Sequence, residues 1–188
     1  MRGSGSESGH QMRMSYFRFA GMVATSVVVM FILMYLNTFA WGHVRWSETR
    51  AYMALLMGGA MTLIMLGFML SMYRNTRVNV GIAVAGVLAF TLALVLVRTQ
   101  ATVDDTSYMS AMIPHHSIAI LTSERAQLAD VRVCELAVEI SEAQRREIAE
   151  MSWLIDDIDA NGPAETRADA DRRAVPAFQG SSDRSCSD

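Results

Sequence analysis

Three long stretches in the first half of the chain contain no Asp, Glu, Lys or Arg, and they constrain the fold more than any other feature. They cover residues 19–43, 51–73 and 78–97. Each has about 20 residues or more, and about 20 helical residues cross a hydrocarbon layer that is ~30 Å thick. Helices of soluble proteins normally show a polar face, which these stretches lack.

We therefore predict an all-α protein whose residues 15–98 form a transmembrane region in contact with a lipid bilayer, because a helix satisfies its own backbone hydrogen bonds in lipid. The predicted helices lie at about 17–40, 51–73 and 78–98.

Charge is distributed unevenly along the chain. Residues 1–98 carry eight Arg and two acidic residues, whereas residues 99–188 carry eight Arg and seventeen acidic residues. The acidic second half argues against nucleic acid as a partner, since nucleic-acid affinity comes mainly from the neutralisation of phosphates. It suits the attraction of cations.

The Arg residues beside the predicted spans indicate an orientation. One side has Arg2, Arg13, Arg18, Arg74 and Arg77, and the other has Arg45, Arg50 and Arg98. The positive-inside rule then predicts an inside N-terminus, and three spans place the C-terminal part outside. In a bacterium this is a multi-pass protein of the plasma (inner) membrane with a periplasmic or extracellular C-terminal domain.

Residues 103–160 are predicted to form a soluble helical hairpin. Asp104 or Asp105 can cap the first helix, and Asp130 can cap the second. The connection between them is so short that the helices are expected to be antiparallel neighbours.

Two terminal segments, 1–14 and 161–188, are polar and rich in small residues, which predicts disorder. Cys134 lies in the second helical pattern and Cys186 in the tail. These two residues indicate neither a disulfide framework nor a paired zinc motif.

The second helix of the hairpin carries a seam with alternating four- and three-residue steps, as in packed helices. Its members are Val133, Ala137, Ile140, Gln144, Glu147, Met151, Leu154 and Ile158. On the first helix, Asp105, Met109, Met112 and His116 share one face by the same rule. Antiparallel pairing predicts an internal patch of Met109, Met112, His116, Glu147 and Met151. Glu147 then needs a partner, since a buried unpaired charge is costly.

This patch has the donor chemistry of a soft-metal site. Thioethers select Cu(I), imidazole suits copper and zinc, and carboxylate broadens the choice. His116 is expected to face inward, whereas the adjacent His115 points about 100° away and would join through a distorted helix or meet a second chain. The alternative interpretation is that the methionines fill a core and the histidine makes an ordinary hydrogen bond.

The segment YMSAMIPHH at residues 108–116 resembles the signature of domain-of-unknown-function family 305. Glu139-Ile140, residues 143–148 and Met151 are similar to the second-helix pattern of that family, so the resemblance covers about residues 104–158. The layout with three preceding spans is similar to a membrane-bound subgroup.

This resemblance implies a ferritin-like helical fold, in which two hairpins form a four-helix bundle and the chain is a homo-oligomer, a dimer. Some members of the family are linked to copper binding. That link points to a copper ion at Met109, Met112, His115, His116, Glu147 and Met151. Ser117 departs from the family pattern, because many members have an acidic or amide residue there.

Methionines also recur every four residues in the second predicted span, at Met53, Met57, Met61, Met65 and Met69. This spacing follows a ridge that helices use for packing, and a path for metal ions is the alternative.

The leading hypothesis is a membrane-anchored protein, not an enzyme, that binds copper for buffering or hand-off in metal homeostasis. The alternative is a structural interaction or dimerisation module without metal. The sequence shows no Ser/His/Asp set, Gly-rich phosphate loop or nucleophilic cysteine arrangement that would indicate catalysis.

Overall fold

The computed structural model describes residues 4–186, with side chains described from Ser15 onward. Over this range the chain is helical without strands, which confirms the all-α class. The helices are α1 (Ser4–Leu33), α2 (Glu48–Met69), α3 (Thr76–Thr99), α4 (Asp105–Arg125), α5 (Val131–Asn161) and α6 (Arg167–Arg172), with a short 3-10 helix at Trp41–His43.

These elements fall into two compact units. The three-helix unit contains the residues up to Met34 together with Thr49–Thr102. The hairpin unit contains Tyr35–Glu48 together with the residues from Val103 onward.

Three helices of the three-helix unit are long and apolar enough to cross a membrane: Ser15–Leu33 within α1, then α2, then α3. The predicted extension of the first span to residue 40 is wrong, because α1 ends at Leu33 and the apolar Phe39 belongs to the hairpin unit. At the other end, α1 begins at Ser4, within the segment predicted to be disordered. Residues 1–3 of that segment lie outside the described residues.

Close contact between α2 and α3 depends on glycine. A Cβ atom at Gly59 would lie 2.8 Å from the amide nitrogen of Phe90 and 2.9 Å from the carbonyl oxygen of Gly86. No side chain fits there, so the backbones pack against each other directly, as is common between helices in membranes.

Polar contacts join α1 to the start of α3. The Tyr16 hydroxyl donates a hydrogen bond to Oδ1 of Asn79 at 2.8 Å, and Nδ2 of Asn79 donates to the carbonyl of Tyr73 at 2.6 Å. The rings of Tyr16 and Tyr73 lie 4.8 Å apart between centroids. This end of the unit is therefore fixed by hydrogen bonds as well as by apolar packing.

The methionine ladder of α2 is divided between packed and exposed positions. Met57, Met61, Met65 and Met69 are half-buried, whereas Met53 is exposed. Met61 and Met65 line a groove with Met22 and Met30 of α1. A path for metal ions along these methionines stays the alternative interpretation.

The hairpin has the caps that were predicted. Oδ1 of Asp104 accepts the Ser107 amide at 2.7 Å, and Oδ1 of Asp130 accepts the Arg132 amide at 2.9 Å. α4 and α5 pack against each other, and Gly162 follows the last residue of α5 with a φ of +75°, which suits a residue without a Cβ. A cluster of five buried side chains fills their interface: Met109, Ile113, Ile120, Ile148 and Ile155.

Two of the first three positions of the predicted α5 seam are wrong, whereas Ala137 is buried as predicted. Val133 is 46% exposed and Ile140 is 37% exposed, while Cys134 and Ser141 are buried beside Ala137. Both sets satisfy the same four–three spacing, and apolar character favoured the wrong one. A disulfide at Cys134 and a hydrogen bond at Ser141 determine which face turns inward.

The tail differs from the predicted disordered segment over 161–188. It contains α6, and Arg173 bonds Asp157 of α5 through Nη1 at 2.6 Å. Cys186 forms a disulfide with Cys134, so the two cysteines are a structural pair after all. Composition predicted disorder because the tail buries little apolar surface, but polar and covalent contacts order it instead.

Candidate metal centre

His116 and Glu147 meet at the centre of the predicted patch. His116 comes from the middle of α4, and Glu147 from the facing part of α5. Nδ1 of His116 lies 2.9 Å from Oε2 of Glu147, with the His side chain 16% exposed and the Glu side chain 38% exposed. The pairing of His116 with Glu147 agrees with the predicted patch, whereas Glu147 is partly exposed and is not the buried charge from which the need for a partner was argued.

An ionised carboxylate only accepts hydrogen bonds, so either a proton on Nδ1 or a shared cation joins these two atoms. Nδ1 of His116 is inaccessible to solvent, and it faces Oε2 of Glu147. A buried imidazole nitrogen beside a carboxylate oxygen supplies two donor atoms that a metal ion can use when the ring is neutral.

The pKa of His116 is lowered from 6.5, chiefly because burial disfavours the charged imidazolium. The Glu147 carboxylate opposes this effect, and the neighbouring His115 adds to it. A lowered pKa favours the neutral ring, which is the form that binds metals.

The predicted methionine ligands lie in different surroundings. Met109 is buried in the apolar cluster of the hairpin, and Met151 packs against the same cluster from α5. Met112, one helical turn before His116, is half-buried. Two thioethers thus share the apolar interior, and the third lies on the helix that carries the histidine.

His115 lies outside this patch. Its side chain is exposed, and its ring centroid is 5.9 Å from that of His116 at an interplanar angle of 63°. At the ends of the patch, Asp105 is exposed and Gln144 is half-buried. The hairpin of one chain therefore assembles the His116–Glu147 pair without His115.

Ser117 anchors a segment that sequence reasoning assigned elsewhere. Its side chain is fully buried, and its Oγ accepts the Phe39 amide at 2.7 Å and lies 2.8 Å from Nδ1 of His43. The guanidinium of Arg145 lies over the Phe39 ring, 4.9 Å from its centroid. An acidic or amide side chain would not replace this small hydroxyl without rearrangement, which gives the departure at Ser117 a structural role.

Little in the sequence indicates that the segment with Phe39 and His43 binds the hairpin at Ser117. Residues 35–43 continue the apolar character of the first span, so hydropathy alone cannot separate them from it. Asn37, Thr38 and His43 are polar residues that interrupt the apolar pattern of this segment.

Among residues 15–186, no group of three or more His, Cys, Asp and Glu side chains is placed to hold a metal ion. The His116–Glu147 pair is thus a two-residue set within those residue types. Methionine sulfur is a further donor type that the patch contains.

Comparisons with known proteins agree with the sequence motif. A family model described as a domain of unknown function (DUF305) matches residues 105–184, so the match continues through the tail. An uncharacterized protein of Acanthamoeba polyphaga mimivirus is 34% identical over 143 residues, which are 72% of this chain and 92% of the viral protein. No solved structure matches the chain significantly. The chain belongs to the DUF305 family.

Proposed function

We propose that this protein is a membrane-anchored binder of a soft, copper-type ion that acts in metal buffering or hand-off. The observation that carries the proposal is the buried Nδ1 of His116, which lies 2.9 Å from Oε2 of the Glu147 carboxylate.

The donor set suits such an ion. Nitrogen and oxygen ligands bind zinc-sized ions at about 2.0–2.2 Å, so two ligand atoms that share one ion can lie as close as those of His116 and Glu147. Met112, Met109 and Met151 add thioethers near or within the same interface, and thioethers favour Cu(I) over harder ions.

The proposed location is the plasma membrane, with the hairpin on the outer, periplasmic side. Three membrane-length helices and the Arg distribution support it. The Cys134–Cys186 disulfide supports it independently, because disulfides persist mainly in oxidising compartments.

The test is a titration of the full chain in lipid nanodiscs with Ag(I), competed against a chelator. Ag(I) mimics Cu(I) and needs no reductant, so the disulfide stays intact. We expect one ion per chain, and at least about a tenfold loss of affinity in His116→Ala, since second-shell changes alone cost about 10–100-fold. Glu147→Gln should weaken binding in the same direction.

His115→Ala is the matched control, because it removes an exposed imidazole from the adjacent position. Wild-type affinity in this variant together with a loss in His116→Ala would support the site in one chain. Equal affinity in the wild type, His115→Ala and His116→Ala, or no binding by the wild type, would overturn the proposal.

A second candidate function is a dimerisation module without metal. Three apolar side chains lie exposed along one face of α5, namely Val133, Leu136 and Ile140. Such a stripe is typical of helix-to-helix interfaces. If this candidate holds, the wild type should be dimeric by mass photometry without metal, and Leu136→Glu should be monomeric, whereas Glu139→Gln on the same helix should remain dimeric.

A further inference from the structure

Residues Gly180–Cys186 form a strap across the hairpin, at the end where α4 meets α5. The strap is tied to α5 by the disulfide between Cys186 and Cys134. Its other end touches the α5 backbone so closely that a Cβ at Gly180 would lie 1.9 Å from the carbonyl oxygen of Glu142. Glycine is therefore required where the strap begins.

Arg184 fixes the middle of the strap to the last turn of α4. Its Nε donates to the Ser123 carbonyl at 2.6 Å, and its Nη2 donates to the carbonyls of Glu124 and Ala126. Carbonyls at a helix C-terminus lack partners within the helix, and the guanidinium supplies them here. Its Nη1 lies 4.0 Å from Sγ of Cys134, so a positive charge stands beside the disulfide.

The strap also covers a carboxylate. Glu124 is 6% exposed, and its Oε1 accepts hydrogen bonds from the Ser182 hydroxyl at 3.1 Å and the Asp183 amide at 3.2 Å. Arg145 bridges Glu124 and Asp183, at 3.3 and 2.8 Å. Release of the strap would remove two donors from Glu124 and admit water to it.

The two sulfurs differ in access. Cys134 is buried in the helix interface, whereas Cys186 is partly exposed. An external thiolate can therefore reach Cys186, while the hairpin shields Cys134. Exchange is faster when the departing sulfur is the better leaving group, and a nearby cation lowers the pKa of a thiol.

We propose that Cys134–Cys186 is a thiol–disulfide exchange site through which an external thiol unlocks the strap. The thiolate bonds to Sγ of Cys186, the Cys134–Cys186 bond breaks, and the electron pair stays on Cys134 as a thiolate beside the Arg184 guanidinium. A second thiolate then attacks the mixed disulfide, which yields the external disulfide and a Cys186 thiolate that takes up a proton. The reductant is a small-molecule or protein thiol, and the strap is then held by non-covalent contacts alone.

The experiment uses the full chain in nanodiscs with glutathione as the probe, stopped with acid and mapped by mass spectrometry. We expect glutathione on Cys186 and a free thiol at Cys134. We also expect trypsin cleavage after Arg184 to become at least tenfold faster once the pair is reduced. Glutathione on Cys134, free thiols in the oxidised preparation, or a strap that stays resistant after reduction would overturn the proposal.

Arg184→Gln tests the role of the cation. We expect exchange to slow by about tenfold because the leaving thiolate loses its stabilising charge, and Arg184→Lys to recover part of the rate. Arg167→Gln, at an exposed arginine of α6, should react like the wild type. An unchanged or faster rate in Arg184→Gln would overturn this role.

Cys186→Ser keeps the proposal testable where other variants fold poorly. It should leave the helical content unchanged by circular dichroism and make the strap sensitive to trypsin without any reductant. A resistant strap in this variant would show that the disulfide does not control it.

Discussion

In the three-helix unit, helices are joined by close apolar contact, as at Gly59 and Gly86, with a few hydrogen bonds around Tyr16 and Asn79. In the hairpin unit, two helices share five buried side chains and depend on added segments: the loop at 35–48, the strap and a disulfide. Close packing thus holds the first unit together, whereas the second also depends on polar contacts and a disulfide.

The difference follows from size and solvent. Two helices in water enclose too small a core to be stable alone, so small folds commonly add disulfides or extra chain segments. Helices in lipid gain nothing from burying apolar surface against each other, and they rely on close packing of small residues. The composition of each unit fits the way in which it is held together. Glycine lies at helix contacts in the three-helix unit, and Arg and acidic residues form the ties of the hairpin unit.

The largest effect is expected when the disulfide of the hairpin unit is removed. Cys134→Ser combined with Cys186→Ser removes a cross-link that spans 52 residues, and we expect the opening free energy of α5 to fall by about 4 kcal/mol. Hydrogen exchange of the α5 amides, followed by mass spectrometry, measures it. Exchange of α3 amides in the same sample is the internal control, and an unchanged α5 would show that the polar contacts suffice.

Gly59→Ala tests the close packing of the three-helix unit. The added Cβ meets the backbone of α3, and forcing the helices apart should cost about 1–3 kcal/mol, as for other overpacked interiors. Unfolding in increasing mole fractions of SDS measures the loss. Gly67→Ala in the same helix, where nothing lies within 4 Å, should be neutral or slightly stabilising, and equal effects of the two variants would contradict the proposed role of the contact.

Ser117→Ala would loosen the loop from the hairpin. The variant leaves the part-buried Phe39 amide without its acceptor and removes the contact of His43, which should cost about 1 kcal/mol. Faster hydrogen exchange of residues 35–43 is the expected result. Ser110→Ala, at a half-buried position of the same helix, should leave this exchange as it is in the wild type.

The smallest effect concerns pH. Burial lowers the pKa of His43 below 6.5, and the charges of Arg145 and Arg45 lower it further. The unfolded loop therefore binds more protons than the docked loop, so docking is fully stable above pH 6.5 and weakens as pH falls through the folded-state pKa. Fluorescence of Trp41, with Trp46 and Trp153 replaced by Phe, should report loosening at low pH, and His43→Gln should flatten that response.

Residue types within a few positions of each other made several helix ends predictable. Asp104, Asp130 and Gly162 have the residue types and positions of helix ends, and the structure places them there. Inward placement of His116 followed from spacing alone. These features depend on neighbours within a few residues, which sequence patterns record.

Features that depend on distant partners could not be predicted in the same way. Phe39 has the composition of a membrane residue, yet its amide bonds Ser117. Val133 and Ile140 fit the seam by spacing and hydrophobicity, but the partners of Cys134 and Ser141 turn the other face inward. The strap is polar throughout, so its order rests on contacts with Glu124 and Cys134 that no local pattern contains.

The loop at 35–48 makes the hairpin unit discontinuous in the gene, since residues 49–102 separate the loop from α4. A ribosome synthesises Phe39 and His43 well before their partner Ser117. The loop therefore cannot bond Ser117 until α2 and α3 have been synthesised. An excised fragment that begins at residue 103 lacks both side chains and is an incomplete unit. Any recombination that transfers the hairpin to another protein must carry the loop with it or replace what the loop covers.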